Sequence, residues 1–389
     1  MEVKQIYDLV NPIVQEVTGQ ENLLKEDLQG VVQAGKEIQN FDGWQNKFVN
    51  ALVDRIGRTI FVNRPYTGSA PSVLMSAWEY GSIMMKISSE LPEATANESW
   101  ELTDGASYDP NVYVANKAKA KFYNGLVTFE LDKSILDRQL KSSFEDATQL
   151  NAFVSMLFNE VDKSMTVRND ALVMRTINSL IADTFYDLDS AGTYTGKSGT
   201  RAVNLLYLYN TKFSQNLTAA QAITDAGFLR YASYMMGLYV DRMRKMSTLF
   251  NIGGQQRFTP TDLLHIVYLS DFKEAAGTYL YDAANQFNSE NLKFPEAESV
   301  PFWQGSGTSY DFADTSKIKL ISGAGHDVQA SGILGVMFDR DALGVCNQNS
   351  RVTTQYNAKA EFTNYFYKRD ARYFTDQNEN FVVFYAATA

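Results

Sequence analysis

Apolar residues recur every three or four positions in two stretches of the chain, residues 1–65 and residues 142–185. This spacing places one apolar stripe on a helix, so it predicts helices in both stretches. Glycines and a proline interrupt the first stretch, which predicts short helices in series, covered either by a partner surface or by the chain itself. The second predicts a helix of roughly 60 Å, with a break near residues 159–169 as the alternative, because polar residues weaken its stripe there.

A second pattern, the alternation of apolar and polar positions, predicts strands at residues 83–88 and 122–131. Between them lies a polar, turn-rich stretch that also contains Trp100, Tyr108 and Tyr113. The two strands and this stretch together predict a long hairpin arm. Such a long excursion is uncommon in a compact domain unless it is functional or disordered, and its aromatic residues favour contact with another molecule.

Shorter apolar runs predict the remaining elements. We expect strands at 205–213, 262–270, 318–321, 333–338, 356–374 and 381–385, and helices at 228–246 and 271–284. Helices and antiparallel strands are segregated more than interleaved in this order, which indicates the α+β class.

Length and composition limit the class of protein. With 389 residues, 45% of them hydrophobic and 21% charged, the chain has the composition of a globular protein of two or three packed units. Its single cysteine, Cys346, cannot form an internal disulfide, which excludes a secreted disulfide scaffold and favours folding in a reducing cytoplasm. No apolar run approaches the roughly 20 residues that a transmembrane helix needs, so no membrane partner is expected.

The charge balance argues against another class. A formal net charge of −10 opposes non-specific attachment to nucleic acid or anionic lipid, so a dedicated DNA-binding protein is not expected. Aromatic residues make up 13% of the chain, which suits extensive protein contacts, although a tyrosine-rich core would have the same composition.

One stretch approaches a nucleotide-binding motif. Gly196, Lys197 and Ser198 match the end of a phosphate-binding loop, but the first glycine of that motif would fall on Ala191, and the preceding pattern is helical where the motif requires a strand. The stretch therefore predicts a solvated glycine loop, and no cofactor is expected.

The remaining candidates for chemistry are isolated residues. The two histidines, His265 in an apolar strand and His326 in a turn, lack a second ligand at zinc spacing, and Cys346 has no nearby base that would activate a thiol. Asp339 and Asp341 flank an arginine, which suits a helix start or an ion pair better than acid and base catalysis. We therefore expect no catalytic or metal-binding residue and a protein that is not an enzyme.

Three lysines have a distinct arrangement. Lys117, Lys119 and Lys121 alternate with alanines, so a strand would carry all three on one face. They either meet acidic groups of another subunit or keep an exposed strand edge from pairing wrongly. Because the arm also carries aromatic residues, we favour subunit contact and predict a contact surface formed by Trp100, Tyr108, Tyr113, Lys117, Lys119, Lys121 and Phe122.

The order of elements resembles a known family. A helical arm, a long two-stranded loop, a long helix, a mixed domain and closing strands are similar to the major capsid protein of tailed bacteriophages, whose Hong Kong 97-like fold encapsulin shells also share. Residues 333–345 resemble the family's strand followed by a short helix, residues 291–303 resemble a stretch of its axial domain, and residues 357–364 and 372–384 resemble its closing strands.

The resemblance implies a division of the chain. It assigns an N-terminal arm (1–65), entry to a peripheral domain (66–89), an extended loop over a neighbouring subunit (90–133), the peripheral domain with its spine helix (134–189), an axial domain (190–348) and closing strands of the peripheral domain (349–389).

The resemblance also implies a function and partners. It implies a structural protein of the virion that assembles in the host cytoplasm into hexamers and pentamers of an icosahedral shell, with a separate scaffolding protein, a portal, and packaged DNA held by non-specific proximity. The alternatives are an encapsulin-like compartment and a cytosolic enzyme with an unrecognised site. Some members join a loop lysine to an asparagine, but neither Asn347 nor Asn349 stands out as an acceptor, so we expect no crosslink. Residues 1–65 are too short and too regularly amphipathic to resemble the charged segment that other members cleave, so we expect a separate scaffolding protein and an intact N-terminus.

Overall fold

The computed structural model describes residues 64–75, 83–94, 104–105, 111, 113, 115, 117–136, 147–282, 294–304 and 315–388. The chain divides into two compact units, residues 1–64 with 151–156 and residues 65–150 with 157–389. The elements detailed below belong to the second unit, apart from the part of the long helix at 151–156. The helices predicted for residues 1–63, and the candidate contact residues Trp100 and Tyr108, lie outside the described residues.

The described part of the chain contains twelve strands and five α-helices, named here in chain order. The strands are β1 (Met84–Ser89), β2 (Ala118–Tyr123), β3 (Leu126–Leu136), β4 (Ala202–Asn204), β5 (Leu264–Leu269), β6 (Glu298–Val300), β7 (Ile318–Ile321), β8 (Asp327–Ala330), β9 (Ile333–Asp339), β10 (Leu343–Asn357), β11 (Phe362–Thr375) and β12 (Phe381–Tyr385). The helices are α1 (Ala147–Leu188), α2 (Leu205–Phe213), α3 (Ala219–Ala222), α4 (Ala226–Met243) and α5 (Ser270–Asp282).

A five-stranded sheet in the order β4-β12-β9-β5-β6 contains the centre of the core. β9 and β12 pair antiparallel, and every residue of both strands is buried. Their sequences, ILGVMFD and FVVFY, are nearly continuous apolar runs, as expected of strands covered on both faces. β12 also pairs parallel with β4 in this sheet. Because β11 belongs to a different sheet, residues 349–389 contribute to two sheets.

A second sheet, in the order β10-β11-β3, consists of long antiparallel strands. β3 alternates strictly between exposed and half-buried residues, which is the pattern of a strand with one covered face. Ion pairs link its strands: Lys368 contacts Glu130 at 3.0 Å, and Arg351 contacts Asp370. Because these strands come from residues 126–136 and 343–375, the sheet joins distant parts of the sequence.

The long helix α1 is continuous over 42 residues, about 63 Å at 1.5 Å per residue. The predicted helix is confirmed, and the alternative of a break near residues 159–169 is wrong. Residues 176–185 are all buried, including the polar Thr176 and Thr184, whose hydroxyls donate to the carbonyls of Leu172 and Leu180 at 2.7 Å. Within residues 155–188, where the burial of this helix is described, only the C-terminal part is therefore covered on every side.

Three local predictions were wrong. The run predicted as a strand at 205–213 is helix α2, which Asn204 caps by accepting a hydrogen bond from the Tyr207 N–H at 3.1 Å. Leu205, Leu206 and Tyr209 are buried at helical spacing, and short apolar runs of leucine and tyrosine suit either structure.

The second error is a strand boundary. The strand predicted at 122–131 is broken at Asn124 and Gly125 into β2 and β3, which belong to different sheets. A side chain at Gly125 would approach the Tyr373 carbonyl oxygen to 2.5 Å, so the crossing of the two backbones requires glycine there.

The third error concerns the end of β9. Residues 333–345 were expected to form a strand and a short helix, but only three residues, 340–342, separate β9 from β10. Asp339 starts no helix: its carboxylate accepts from the Asp341 N–H at 2.9 Å and the Thr259 hydroxyl at 2.8 Å, which closes a tight turn.

Candidate assembly interface

β1 and β2 form a two-stranded antiparallel sheet, and we call this sheet with residues 90–117 between its strands the hairpin arm. Met85 lies opposite Phe122 and Lys86 lies opposite Lys121. Because side chains alternate across a strand, the sheet has two chemically different faces. We call the face with Lys86 and Lys121 the anchor face and the face with Met85 and Phe122 the outer face.

Two lysines of the anchor face, Lys86 and Lys121, share one carboxylate of the turn after β11. Asp376 Oδ2 lies 3.0 Å from Lys86 Nζ, and Asp376 Oδ1 lies 3.1 Å from Lys121 Nζ. Lys86 also contacts Glu379 Oε1 at 2.7 Å, and the same oxygen accepts from Arg257 Nε at 3.3 Å. Like charges that face each other across two strands repel, so the acidic turn makes this pairing of β1 and β2 favourable.

Burial and charge determine the protonation of this cluster. Burial alone would lower the pKa of Lys86, but hydrogen bonds and charge from Glu379 and Asp376 outweigh burial and raise that pKa above 10.5. Burial would raise the pKa of Asp376, but the charge of Lys86 and the Asn378 N–H hold that pKa below 3.8. Both groups are therefore charged across the neutral range.

Aromatic packing accompanies the ion pairs. The Tyr123 ring lies 5.3 Å from the Phe374 ring on β11, and burial followed by the charge of Asp376 raises the pKa of Tyr123. Lys86 Nζ also donates to the Asp341 carbonyl at 3.1 Å. The base of the hairpin arm is thus held by the ends of β11 and β9, far from it in sequence.

The outer face is apolar and exposed. Its side chains Ile83, Met85, Ile87 and Phe122 are between 52% and 64% exposed, and Leu91 just beyond β1 is also exposed. Single exposed hydrophobic residues are normal, but four on one face of two paired strands form a contiguous patch of the kind that marks an interaction surface. A surface anchored on one side and apolar on the other is suited to receive a partner.

The predicted aromatic contact residues have different positions relative to this surface. Tyr113 is 87% exposed, the largest exposed fraction among the bulky hydrophobic residues in the described part of the chain. Phe122 lies on the outer face, as its 64% exposure shows. Trp100 and Tyr108 lie outside the described residues, so their role stays a prediction.

Two of the predicted lysines, Lys119 and Lys121, have side-chain partners within their own chain. Lys119 contacts Glu90 at 2.6 Å, which holds the pKa of that glutamate below its usual value, and Lys121 belongs to the anchor. The Lys117 carbonyl accepts from the Glu90 N–H at 2.9 Å, which closes the end of the two-stranded sheet. Contact of these lysines with another subunit stays a prediction.

The sequence did not identify the residues that hold the arm. Lys86, Asp376 and Glu379 come together only because β11 delivers the acidic turn to β1, nearly 300 positions away. One signal was present: Lys86 is a charged residue within the apolar alternation Ile83, Met85 and Ile87, and a lysine in a half-covered strand needs an acidic partner.

The other sites raised by the sequence have structural roles. The Gly196–Ser198 loop follows a turn at the end of α1, where Lys197 pairs with Asp189 at 2.5 Å and the Tyr385 hydroxyl donates to the Lys197 carbonyl at 2.7 Å. The single basic group that could meet a phosphate is therefore already paired.

The histidines and the cysteine lie in packed surroundings. His326 stacks on Tyr186 with ring centroids 3.6 Å apart, and His265 stacks on Phe338 at 5.6 Å. Burial lowers the pKa of His265, and Cys346 is buried in β10. For Asp339, which is an acid, burial instead raises the pKa, although hydrogen bonds from the Asp341 N–H and the Thr259 hydroxyl oppose the shift.

The described residues hold neither a metal-binding cluster nor a helix suited to span a membrane. They contain no group of three or more histidine, cysteine, aspartate or glutamate residues placed to hold a metal ion. They also contain no helix that is both long and apolar enough to cross a membrane.

Comparison with known proteins connects this architecture to a family. The family model for the Phi29-like phage major capsid protein matches residues 10–385. A search of curated proteins finds no match.

Solved structures show the same fold at low sequence identity. A chain from the capsid structure of Staphylococcus phage Andhra is 10% identical, with a TM-score of 0.53 over 85% of this chain and 87% of that chain. A chain from the structure of the head fiber and inner core protein gp22 of native bacteriophage P68 is 9% identical, with a TM-score of 0.53 and the same coverage. Mixed helix and sheet in this arrangement confirms the predicted α+β class.

Proposed function

Because this chain belongs to the family of Phi29-like phage major capsid proteins, and is therefore a structural protein of the virion shell, we propose that the outer face of its hairpin arm is a surface through which one copy binds the next. The observation that carries this proposal is the two-sided sheet: ion pairs fix the anchor face on the chain's own turn, and the outer face is left exposed and apolar. Burying that face against a neighbouring subunit removes apolar area from water, which favours association.

The same proposal extends to the stoichiometry and to other partners. A shell closed by repetition of one contact uses copies in symmetric rings, which we propose to be hexamers and pentamers, with a separate scaffolding protein and a portal. Packaged DNA would lie near the shell without specific contacts, because a chain of net charge −10 repels phosphate. The proposed function is therefore to bind other subunits and not to catalyse a reaction.

Exchange of one outer-face residue tests the proposal. Ile87 is 62% exposed, so Ile87→Asp removes apolar contact and places a charge in the proposed interface without disturbing a core. We expect the variant to fold with an unchanged melting temperature and to fail to form particles, as measured by light scattering and electron microscopy of purified protein.

A matched control exists on another two-stranded sheet. Ile321 at the end of β7 is 66% exposed, so Ile321→Asp makes the same chemical change outside the hairpin arm and should leave particle formation intact. Normal particles from Ile87→Asp would refute the proposal, as would equal loss of assembly in both variants.

A further inference from the structure

The second unit contains a cavity of about 540 Å³ beside the exposed middle of α1, a volume typical of ligand pockets. Three segments enclose it: the chain from Tyr66 to Ala70, one face of α1, and the chain after β6. Its walls are mainly apolar, formed by Val167, Met174, Val300, Phe302, Trp303 and Leu320. An apolar side chain could therefore enter it from outside.

The inner wall of this cavity has an unused hydrogen-bond acceptor. Asn178 lines the cavity and is 4% exposed. Its Nδ2 donates to the Trp303 carbonyl at 2.6 Å, which fixes the orientation of the amide, and its Oδ1 has no hydrogen-bond partner. Since a buried polar atom without a partner is costly, this oxygen indicates a missing donor at that place.

The two charged groups at the mouth of the cavity, Asp170 and Arg175, differ in whether they have partners within the described part of the chain. The Asp170 carboxylate is occupied, because it accepts from the Tyr66 hydroxyl at 3.1 Å and from the Ser69 N–H at 2.9 Å. Arg175 lines the same cavity, is exposed, and has no ion pair or hydrogen bond within the described part of the chain. The mouth therefore presents one unpaired positive charge.

We propose that this cavity receives the side chain of Tyr113 from a second copy of the chain, with its phenol O–H donating to Asn178 Oδ1. The inference rests on the proposed function, since it requires the hairpin arm of one copy to reach another. A tyrosine ring suits the apolar walls, and its hydroxyl supplies the one donor that the inner wall lacks.

Two observations point to Tyr113 rather than another side chain. It is 87% exposed, so it gives up no packing in its own chain when it is inserted elsewhere. Two aspartates, Asp104 and Asp109, precede it in the sequence and are opposite in charge to Arg175, whereas the charged residues that follow it are Lys117 and Lys119. A tyrosine with one donor, preceded by acidic residues, fits a cavity with one free acceptor and an arginine at its mouth; we call this cavity the socket.

Photocrosslinking in mixed particles identifies the occupant directly. Tyr113 is replaced by the aromatic photocrosslinker p-benzoylphenylalanine, and this variant is assembled with an excess of ¹⁵N-labelled wild-type chain. We expect crosslinked peptides in which the ¹⁵N-labelled partner contains α1 residues around Val167 to Asn178 or the segment at Trp303. Crosslinks to other ¹⁵N-labelled segments, to the unlabelled chain itself, or to nothing would overturn the inference.

A mutant cycle tests the hydrogen bond separately. Tyr113→Phe should raise the protein concentration needed for assembly about fivefold, and in an Asn178→Leu background it should have no further effect. Tyr356→Phe, a change at an exposed tyrosine of β10, is the matched control and should leave assembly unchanged. An equal effect of Tyr113→Phe in both backgrounds, or no effect in either, would refute the predicted bond.

A third variant guards against misfolding of Asn178→Leu, which also loses the bond to Trp303. Ala171→Phe fills the cavity from an exposed position on α1 and should impair assembly while the chain stays folded. If Ala171→Phe and Tyr113→Phe both assemble normally while Ile87→Asp does not, the socket is wrong and the outer-face interface stands. If Ile87→Asp also assembles normally, both proposals fail.

Discussion

At the scale of single residues, one glycine occupies a position that no other residue can take without strain. Gly68 has φ +94°, and a Cβ built there would lie 2.8 Å from Asp170 Oδ1. Asp170 in turn accepts from Tyr66 and Ser69, so the segment that forms one wall of the cavity is tied to α1 through this carboxylate.

We predict that Gly68→Ala destabilises the fold more than a substitution that introduces only backbone strain. Gly254 also has positive φ, +63°, but nothing lies within 4 Å of a Cβ there, so Gly254→Ala should cost roughly 1 to 2 kcal/mol. Gly68→Ala adds the clash with Asp170 and should cost more than that. Urea unfolding of the two variants measures the difference, and equal costs would show that the Asp170 contact relaxes freely.

Residue roles were also the least predictable feature of the sequence. Asn178 and Asp183 lie within the apolar pattern of the long helix, and nothing in their spacing indicates a partner. The structure gives one a bond to the Trp303 carbonyl and the other an acceptor role toward Gln377 Nε2 at 3.0 Å. Such partners come from segments more than 100 positions away, which local periodicity does not reveal.

At the scale of elements, most helices and strands follow from periodicity because they are long or fully buried. α1, α4, β5 and β9 were found where their patterns predicted them. The failures were a short run that became α2, a strand divided at Gly125 and a short helix expected after β9. Capping, a crossing strand and a tight turn at Asp339 decided them, rather than the local pattern. The anchoring of the hairpin arm could not be predicted, since it depends on where β11 ends.

The anchor should respond to pH at both ends of the range. The raised pKa of Lys86 means that its stabilisation is complete below pH 10.5 and is lost as pH rises through the higher folded value. The lowered pKa of Asp376 means that its stabilisation is complete above pH 3.8 and is lost as pH falls through the lower folded value. Between roughly pH 5 and 9 the anchor should be constant.

Lys86→Met isolates this effect. We expect it to lower the free energy of unfolding by about 1 to 3 kcal/mol at neutral pH, because it removes one charge from a largely buried network. The loss relative to wild type should shrink at both pH extremes, as measured by urea unfolding at a series of pH values. Lys119→Met, which breaks the exposed pair with Glu90, is the control and should match wild type. A loss independent of pH would contradict the anchor.

At the scale of the whole molecule, the layout of elements was sufficient to identify the family, although no single motif was. The fold is shared with chains of two solved phage structures that are only about 10% identical. The proposed contact surface stays a prediction, and its apolar outer face and the cavity beside α1 could not be foreseen because both depend on pairings between distant segments. Those pairings follow from the fold and not from local sequence.

Net charge leads to a prediction about salt. Copies that each carry −10 repel one another, and an interface formed mainly by apolar side chains is little weakened by ions. Raising NaCl from about 50 mM to about 500 mM should therefore lower the protein concentration at which particles appear, because the Debye length shrinks severalfold. Light scattering over a concentration series at each salt measures this. A higher threshold at high salt would indicate that ion pairs between subunits dominate.

The central position of β12 has a consequence for synthesis. β4 has no strand neighbour other than β12 in its sheet, and β9 needs β12 to cover one edge, yet residues 381–385 leave the ribosome after every other strand of the described chain. The five-stranded sheet at the centre of the core therefore cannot be completed until this segment has been synthesised. We therefore expect subunits truncated before it to stay unfolded and to be left out of particles.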